Sequence, residues 1–595
     1  MSTKPQIRTG TDDFADLLLE SNVWVDKSLF IKEFLEDSGK VTLITRPRRW
    51  GKSLNLDMLR RFLSLEIDAK GHPLPKEEHF NDKLFAGGEV VRETGERKQL
   101  APLKIAQHQH LMATYQGRYP VIFLGLKNVK GSSYQAIFLQ IKKELSTLFK
   151  MHSYLLASHR VAEDEKLLLK RYMREEGSVV DVTRSIGFLS ELMHKHFQKP
   201  VYILVDEYDT PINHAYLKLL VSSSAFDDVL DLFRQFFGAT FKTNPYLAKG
   251  LITGILRIAK ANIFSDLNNV REYTLLDEEF ASFYGFTQSE VDVLLNQVPT
   301  QTPAAEIKAW YNGYTLGGEV IYNPWSIMCC LSRKGKLAPY WIDSGGTSLV
   351  DDKLLADEMQ ADLQKLVARD VIESPIITQI SFDDLKKRSG LLSLLLFSGY
   401  LNPVQRLGNA FNAVYHLSIP NQEVQCVYEM RVLEWVSKQL AIDTDRYFSF
   451  AHLLAEGKID AFKDALQQYL HNATSFHQTG EKSVELFYNG FMLGLLSILS
   501  TYYSIYSEQE GLKGRSDALL VPKPNHGTEA LVLEYKVSPK ADQLAAVAER
   551  GVSQILQKGY AQPAQQHAHV KSVLAVCLAF SGKEVFLAQR VAFTR

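Results

Sequence analysis

The 595-residue sequence is short of cysteine, of net charge and of long apolar runs, and each shortage closes off a class of protein. Four cysteines in so long a chain exclude a disulfide scaffold. Cys329 and Cys330 are adjacent while Cys426 and Cys577 stand alone, so no thiolate zinc spacing exists either. This cysteine usage fits a reducing, cytoplasmic setting. Lys plus Arg (67) and Asp plus Glu (68) nearly cancel to −1, so composition gives no support to wholesale polyanion binding, although averaging could hide a local basic patch. The most apolar stretches, Leu391–Phe397 and Phe491–Leu499, fall well short of the about 18 residues of a membrane span. The opening residues lack a basic start followed by an apolar run, so neither a membrane nor a secretory role is expected. No internal repeat, low-complexity tract or Gly-x-Ser-x-Gly elbow is visible.

What is present is ordinary folded composition, 46% hydrophobic and 23% charged, in a chain long enough for two to four domains at about 150 residues each. Short apolar runs at Val41–Thr45, Tyr119–Leu126, Val201–Asp206 and Leu251–Leu256 read as strands. Helix-compatible sequence separates them; Ile186, Leu189, Met193 and Phe197 share one helical face. Uninterrupted apolar strands alternating with helices predict an α/β domain with a parallel sheet covered on both faces. That domain is expected over residues 1–280, with a polar insertion at about 68–118. A helical middle or lid region is expected over 281–440, and a second α/β domain over 441–595.

The strand Val41–Thr45 runs into Arg46-Pro47-Arg48-Arg49-Trp50-Gly51-Lys52-Ser53 and then into a helix. Strand, tight loop, Gly-Lys-Ser and helix form the arrangement of a phosphate-binding P-loop. Backbone N–H groups and the helix dipole would face the phosphates of ATP, Lys52 would reach the β- and γ-phosphates, and Ser53 would place its hydroxyl on Mg²⁺. The generic pattern has Gly where Arg46 stands. Pro47 would pre-shape the turn, and Arg46, Arg48 and Arg49 raise the local positive potential. About 150 residues on, Val201–Val205 ends in Asp206-Glu207, as a strand does that holds Mg²⁺ with its first acid and polarises water with its second. Thr253 sits in a later strand where a polar sensor of the γ-phosphate would lie. Arg257, four residues on, could answer transition-state charge.

The combination ITRPRRWGKSLNLDML, LVDEYDTPI and ITGILRIAKANIFSDLNN resembles the prokaryotic AAA-ATPase-like proteins that carry a C-terminal nuclease-like domain of the PD-(D/E)XK superfamily. The Arg-Pro-Arg-Arg loop agrees with that family's version, with Trp50 in place of Phe. WYNGY, YNPWSI, SGYL and IPNQEV resemble the family's middle region, so the likeness runs over nearly the whole chain. The resemblance implies a P-loop NTPase domain, a helical middle and a C-terminal nuclease-like α/β domain.

In the C-terminal region, Gly514–Val521 and Ala530–Val537 read as a hairpin. Side chains alternate along a strand, so Glu534 and Lys536 share a face while Leu533, Tyr535 and Val537 take the other. An acid projecting from an apolar strand is costly to bury without a partner, and a divalent metal would supply one. Asp517, near the start of the neighbouring strand, could complete the site; two carboxylates on Mg²⁺ beside Lys536 suit phosphodiester hydrolysis. The resemblance adds Glu485 on a preceding helix, and Gln554 and Tyr560 as accessory residues. Tyr535 stands where the family often has Phe, and Asn489 where a His is expected.

His108 with His110 and His194 with His196 lack a third ligand and read as solvated or capping residues. The expected function is Mg²⁺-dependent ATP binding and hydrolysis coupled to a metal-dependent nuclease acting on nucleic acid, DNA or RNA. The alternative is a nucleotide-switched module that binds nucleic acid or a partner without cutting. A homo-oligomer is the possible assembly in which a neighbour donates an arginine to the first site.

Overall fold

The computed structural model describes residues 4–91, 95–219, 223–256, 269–341, 359–367, 369–409, 413–440, 444–472, 492, 495, 498–499, 502–507, 510–511, 514–515, 518–524 and 526–595. The chain divides into two compact units, Met1–Val350 with Ser374–Glu423, and Asp351–Glu373 with Val424–Arg595.

The first unit is built on five strands: β1 (Val41–Thr45), β2 (Val121–Gly125), β3 (Val201–Asp206), β4 (Leu247–Gly254) and β5 (Val270–Tyr273). They lie in the order β2-β3-β4-β1-β5, and every pairing is parallel. All residues of β1 and β3 are buried, which is why they read as unbroken apolar runs. The chain leaves β1, returns three strands away at β2 and fills inward to β4. The carboxyl ends of β1 and β4 therefore flank the point where the winding reverses, the place where open α/β sheets hold ligands. Helix α1 (Lys52–Leu63) follows β1 directly. Its Leu56, Met58, Leu59, Phe62 and Leu63 share one core with Ile44, Leu204 and Leu251 of the sheet.

The insertion expected at about 68–118 consists of short helices and a hairpin pairing Gly88–Val91 with Arg97–Leu100. Its elements are too brief to show a period, yet Leu84, Phe85, Val90, Leu100 and Ile105 enter the same core. The middle of the chain is helix-rich, with helices Gln288–Gln297, Ala304–Tyr311, Pro324–Ser332 and Arg388–Phe397. A hairpin (Tyr314–Leu316 with Glu319–Ile321) interrupts it, and Val291, Ile307, Tyr311, Tyr322 and Ile327 form a satellite core. Among the described residues, no helix is long and apolar enough to cross a membrane.

The second unit carries strands β6 (Tyr503–Ser507), β7 (Ala518–Pro522), β8 (Glu529–Val537), β9 (Ser572–Ser581) and β10 (Glu584–Thr594) in sequence order. Only β8 and β9 pair in parallel, and helix α2 (Leu544–Lys558) makes the crossover between them. Ala530 and Val532 of β8 pack with Ala548, Val552 and Ile555 of α2 and with Val573, Ala575 and Cys577 of β9. By strand alternation Glu534 lies on this helix-covered face.

Gly551 is where α2 presses closest on the sheet: a Cβ there would lie inside van der Waals contact with Cys577 Sγ. Gly551→Ala gains up to about 1 kcal/mol of helix propensity. Overpacking of about 1–3 kcal/mol opposes it, and the sub-contact distance makes the overpacking win. Faster amide exchange across Leu544–Lys558 is expected; unchanged or slower exchange in the variant refutes this packing.

Candidate functional site

The loop between β1 and α1 sits at the reversal point of the first sheet. Arg46 N donates to Gly254 O (3.1 Å), which fixes the loop's origin against the end of β4. Arg49 (φ 65°) and Gly51 (φ 76°) both adopt left-handed backbone; glycine does so freely, whereas arginine does so at a cost. The turn delivers the chain into α1, a 12-residue helix whose amino end favours an anion. Lys52 is buried there, and its Nζ donates to the carbonyls of Arg46 (2.9 Å) and Pro47 (2.7 Å). Desolvation pushes its ammonium down to about 8, against the pull of the Asp206, Glu207 and Asp209 carboxylates.

Asp206 ends β3 and is 8% exposed. Its Oδ2 accepts from Ser53 Oγ (2.6 Å), and its Oδ1 from Thr253 Oγ1 (2.5 Å) and Glu207 N (3.0 Å). Glu207 follows in left-handed backbone (φ 52°), and its Oε2 accepts from Thr210 Oγ1 (3.3 Å). Asp209, also buried, accepts from the backbone N–H groups of Ile255 and Leu256 (both 3.0 Å), and burial pushes its carboxyl upward. A cavity of about 580 Å³ opens over this cluster, walled by Arg48, Arg49, Lys52, Ser53, Glu207 and Asp209.

Three residues expected at this site, Arg46, Pro47 and Thr253, do not line the cavity. Arg46, expected to raise the potential at the phosphates, is fully buried off the cavity wall. Its Nη1 donates to Thr45 O (2.9 Å) and Tyr273 O (3.1 Å), its guanidinium lies over the Tyr284 ring (5.3 Å), and burial pushes it down to about 10. It fastens β1 to the end of β5. Pro47 likewise stays off the wall, close beneath Gly399. Trp50 is wholly buried, edge-on to Tyr314 at 4.8 Å, and is among the residues lining the cavity. Thr253, expected as a sensor of bound phosphate, is directed at Asp206 and does not line the cavity. Arg257 lies outside the described residues.

Other wall residues were not foreseen. Asp209 is the third acid of Asp-Glu-Tyr-Asp, a spacing that could have drawn notice. Trp341 lines the cavity and donates from Nε1 to Arg48 O (3.2 Å), and the Arg49 guanidinium stacks 4.2 Å over Trp325. Nothing local in the sequence signals these pairings.

In the second unit, Glu534 lies near the end of β8 with its side chain 2% exposed, and Lys536 Nζ meets its Oε1 at 2.6 Å. The Lys536 side chain is 38% exposed, so the pair runs from a dry carboxylate to a solvent-reaching cation. Gln554 is half-buried on α2, and Tyr560 is buried in the helix–sheet core just beyond it. Asp517 and Glu485 lie outside the described residues; the registered part of the neighbouring strand begins with Ala518 opposite Leu533.

Comparison with known proteins finds a family match within each unit. Residues 8–83 and 89–264 match the AAA-ATPase-like family, described as predicted AAA-ATPase, and residues 483–590 match the PD-(D/E)XK nuclease superfamily. The chain is 26% identical over 428 residues to an uncharacterized protein in the vnfD 5′ region of Azotobacter chroococcum mcd 1, covering 71% of this chain and 67% of that one. No solved structure matches. The chain thus joins an AAA-ATPase-like domain to a C-terminal domain of the PD-(D/E)XK nuclease superfamily.

Proposed function

We propose that this chain is a cytoplasmic, Mg²⁺-dependent ATPase whose C-terminal domain is a metal-dependent nuclease acting on nucleic-acid phosphodiesters. The observation that carries the first half is the 2.6 Å hydrogen bond from Ser53 Oγ to Asp206 Oδ2. It joins the start of α1 to the end of β3, beside a buried lysine at a helix amino terminus. A hydroxyl and a carboxylate are hard oxygen ligands suited to Mg²⁺, and the helix end with Lys52 suits phosphate, so the residues fit the group.

Ser53 and Asp206 would hold Mg²⁺, which when bound neutralises charge on the β- and γ-phosphates. Lys52 exchanges the Arg46 and Pro47 carbonyls for phosphate oxygens. Arg48 and Arg49 add positive potential from the cavity wall, Trp50 and Pro47 shape the loop from beneath, and Thr253 keeps Asp206 oriented. Glu207 positions the attacking water and accepts its proton. In the second unit, Glu534 is a dry carboxylate on an apolar strand, which fits a divalent-metal ligand. Asp517 and Glu534 would hold that Mg²⁺, Lys536 orients water, and Glu485 and Gln554 assist.

Glu207→Gln is expected to lower phosphate release by about 10²–10⁴-fold while nucleotide binding persists. Lys52→Ala is expected to lose both, and release at the wild-type rate in both variants overturns the ATPase assignment.

The Lys52 ammonium is pushed down to about 8 in the nucleotide-free protein. A triphosphate restores its charge, so binding takes up a proton between about pH 8 and the ordinary lysine range near about 10.4. Affinity should accordingly fall as pH rises through that window. Calorimetry in buffers of different ionisation heat measures the uptake; none in that window refutes the placement.

For the second domain, cleavage of DNA or RNA with Mg²⁺ or Mn²⁺ is expected to drop at least about 10²-fold in Lys536→Ala and Glu534→Gln. Substrate left intact by the wild type under every metal and nucleotide condition makes the domain a binding module.

A further inference from the structure

The exit of α1 and the insertion after it hold a third set of ligand-type side chains, separate from both sites above. Glu66, His79 and Asp82 each place one ligand atom within 4.8 Å of the others. His79 Nε2 lies 3.0 Å from the carbonyl of Leu74. A carbonyl only accepts, so Nε2 carries a proton and Nδ1 is left facing Asp82 Oδ2 at 3.2 Å. In a neutral ring that contact sets a nitrogen lone pair against a carboxylate lone pair, an arrangement that a cation between them makes favourable.

The two carboxylates are fixed for such an ion. Glu66 Oε1 and Oε2 accept from Asn81 N (2.8 Å) and Phe80 N (3.0 Å), which hold the group in place and leave further lone pairs on each oxygen. Asp82 Oδ1 is buried and makes no hydrogen bond among the described residues. Gly117 (φ +63°) passes over the group; a Cβ there would come 3.3 Å from Asp82 Oδ1 and 3.7 Å from His79 Nδ1. The glycine thus leaves space over those two atoms. A cavity of about 860 Å³ reaches His79, Asp82 and Gly117 and supplies an entry path and room for water.

We propose that Glu66, His79 and Asp82 bind a divalent transition-metal ion of the zinc class, with water completing its coordination. Ligands held at about 2.0–2.2 Å in a tetrahedron stand about 3.3–3.6 Å apart, close to the Nδ1–Oδ2 separation here. One imidazole with two carboxylates and no thiolate favours Zn²⁺ over Mg²⁺, which prefers oxygen and retains its waters. The Leu74 carbonyl is the outer partner that fixes the tautomer of a ligating histidine. The ion fastens the segment just beyond α1 to the helix Phe80–Ala86 of the insertion.

The test uses the full chain, stripped with a chelator and dialysed against Zn²⁺ in excess Mg²⁺ so that the hard-oxygen sites are held. Asp82→Asn and Glu66→Gln preserve shape, and each is expected to lower zinc affinity by at least about 10-fold, read as bound zinc per chain by elemental analysis. In the wild type, Zn²⁺ should protect His79 from acylation by diethyl pyrocarbonate, read by mass spectrometry of its peptide, so the test survives a variant that folds poorly. Zinc binding equal to wild type in both variants, or acylation of His79 indifferent to Zn²⁺, reduces the group to a histidine–carboxylate ion pair and overturns the site.

Discussion

The first unit depends on the satisfaction of one buried carboxylate. Taking Asp206 out of water would be costly if its oxygens were left bare, and hydrogen bonds to a charged group return about 1.5–3 kcal/mol each. The donors come from three elements: Ser53 from the start of α1, Thr253 from β4, and the backbone of Glu207 just beyond β3. The strand order is what makes this arithmetic work. With β4 between β3 and β1, a side chain near the end of β4 and one at the start of α1 both reach the same acid. Moving any of these elements breaks a charged hydrogen bond, so the loop geometry and the sheet topology hold each other in place.

The two carboxylate sites handle their lysines in opposite ways. Lys52 is buried at the cavity wall and hydrogen-bonded to neutral carbonyls, with the nearby carboxylates acting through space, so desolvation dominates and its ammonium is pushed down. Lys536 reaches solvent and bonds Glu534 directly, so there the dry partner is the acid. A cation held by carbonyls is readily handed to an incoming anion, because the exchange trades dipoles for charge. A cation already paired with a carboxylate must be shared with whatever that carboxylate next binds.

Uninterrupted strands were legible in the sequence, since burial of β1 and β3 on both faces demands unbroken apolar runs, and so was the Gly-Lys-Ser that starts α1. The Glu534–Lys536 face was legible too, from alternation alone. Arg46 was not, because its acceptors at Tyr273 and its ring partner Tyr284 lie more than two hundred positions away, and residue type alone suggests a phosphate ligand for any arginine in such a loop. The partner of Thr253 was not legible for a related reason: periodicity places a polar residue in a strand but does not say which neighbour it serves. The tryptophans at the cavity wall are similarly non-local, since Trp341 and Trp325 meet Arg48 and Arg49 only through the fold.

Two of the seven described non-glycine residues in left-handed backbone line this cavity. Arg49 and Glu207 are non-glycine residues in left-handed backbone, a conformation that costs about 1–2 kcal/mol apiece and persists only where surrounding contacts over-determine it. For Glu207 those contacts are visible. Its N–H is held by Asp206 Oδ1, its carbonyl accepts from Thr210 N (3.1 Å), and the next residue's N–H donates to Thr253 O (3.1 Å). The chain is thereby turned sharply out of β3, so the acid directly after the buried one faces open space while the buried one faces its hydroxyls. An extended continuation of β3 would send the two side chains to opposite faces of the sheet. The strained residue is what lets adjacent acids occupy one site in two different environments, one dry and fully bonded and one at the cavity wall.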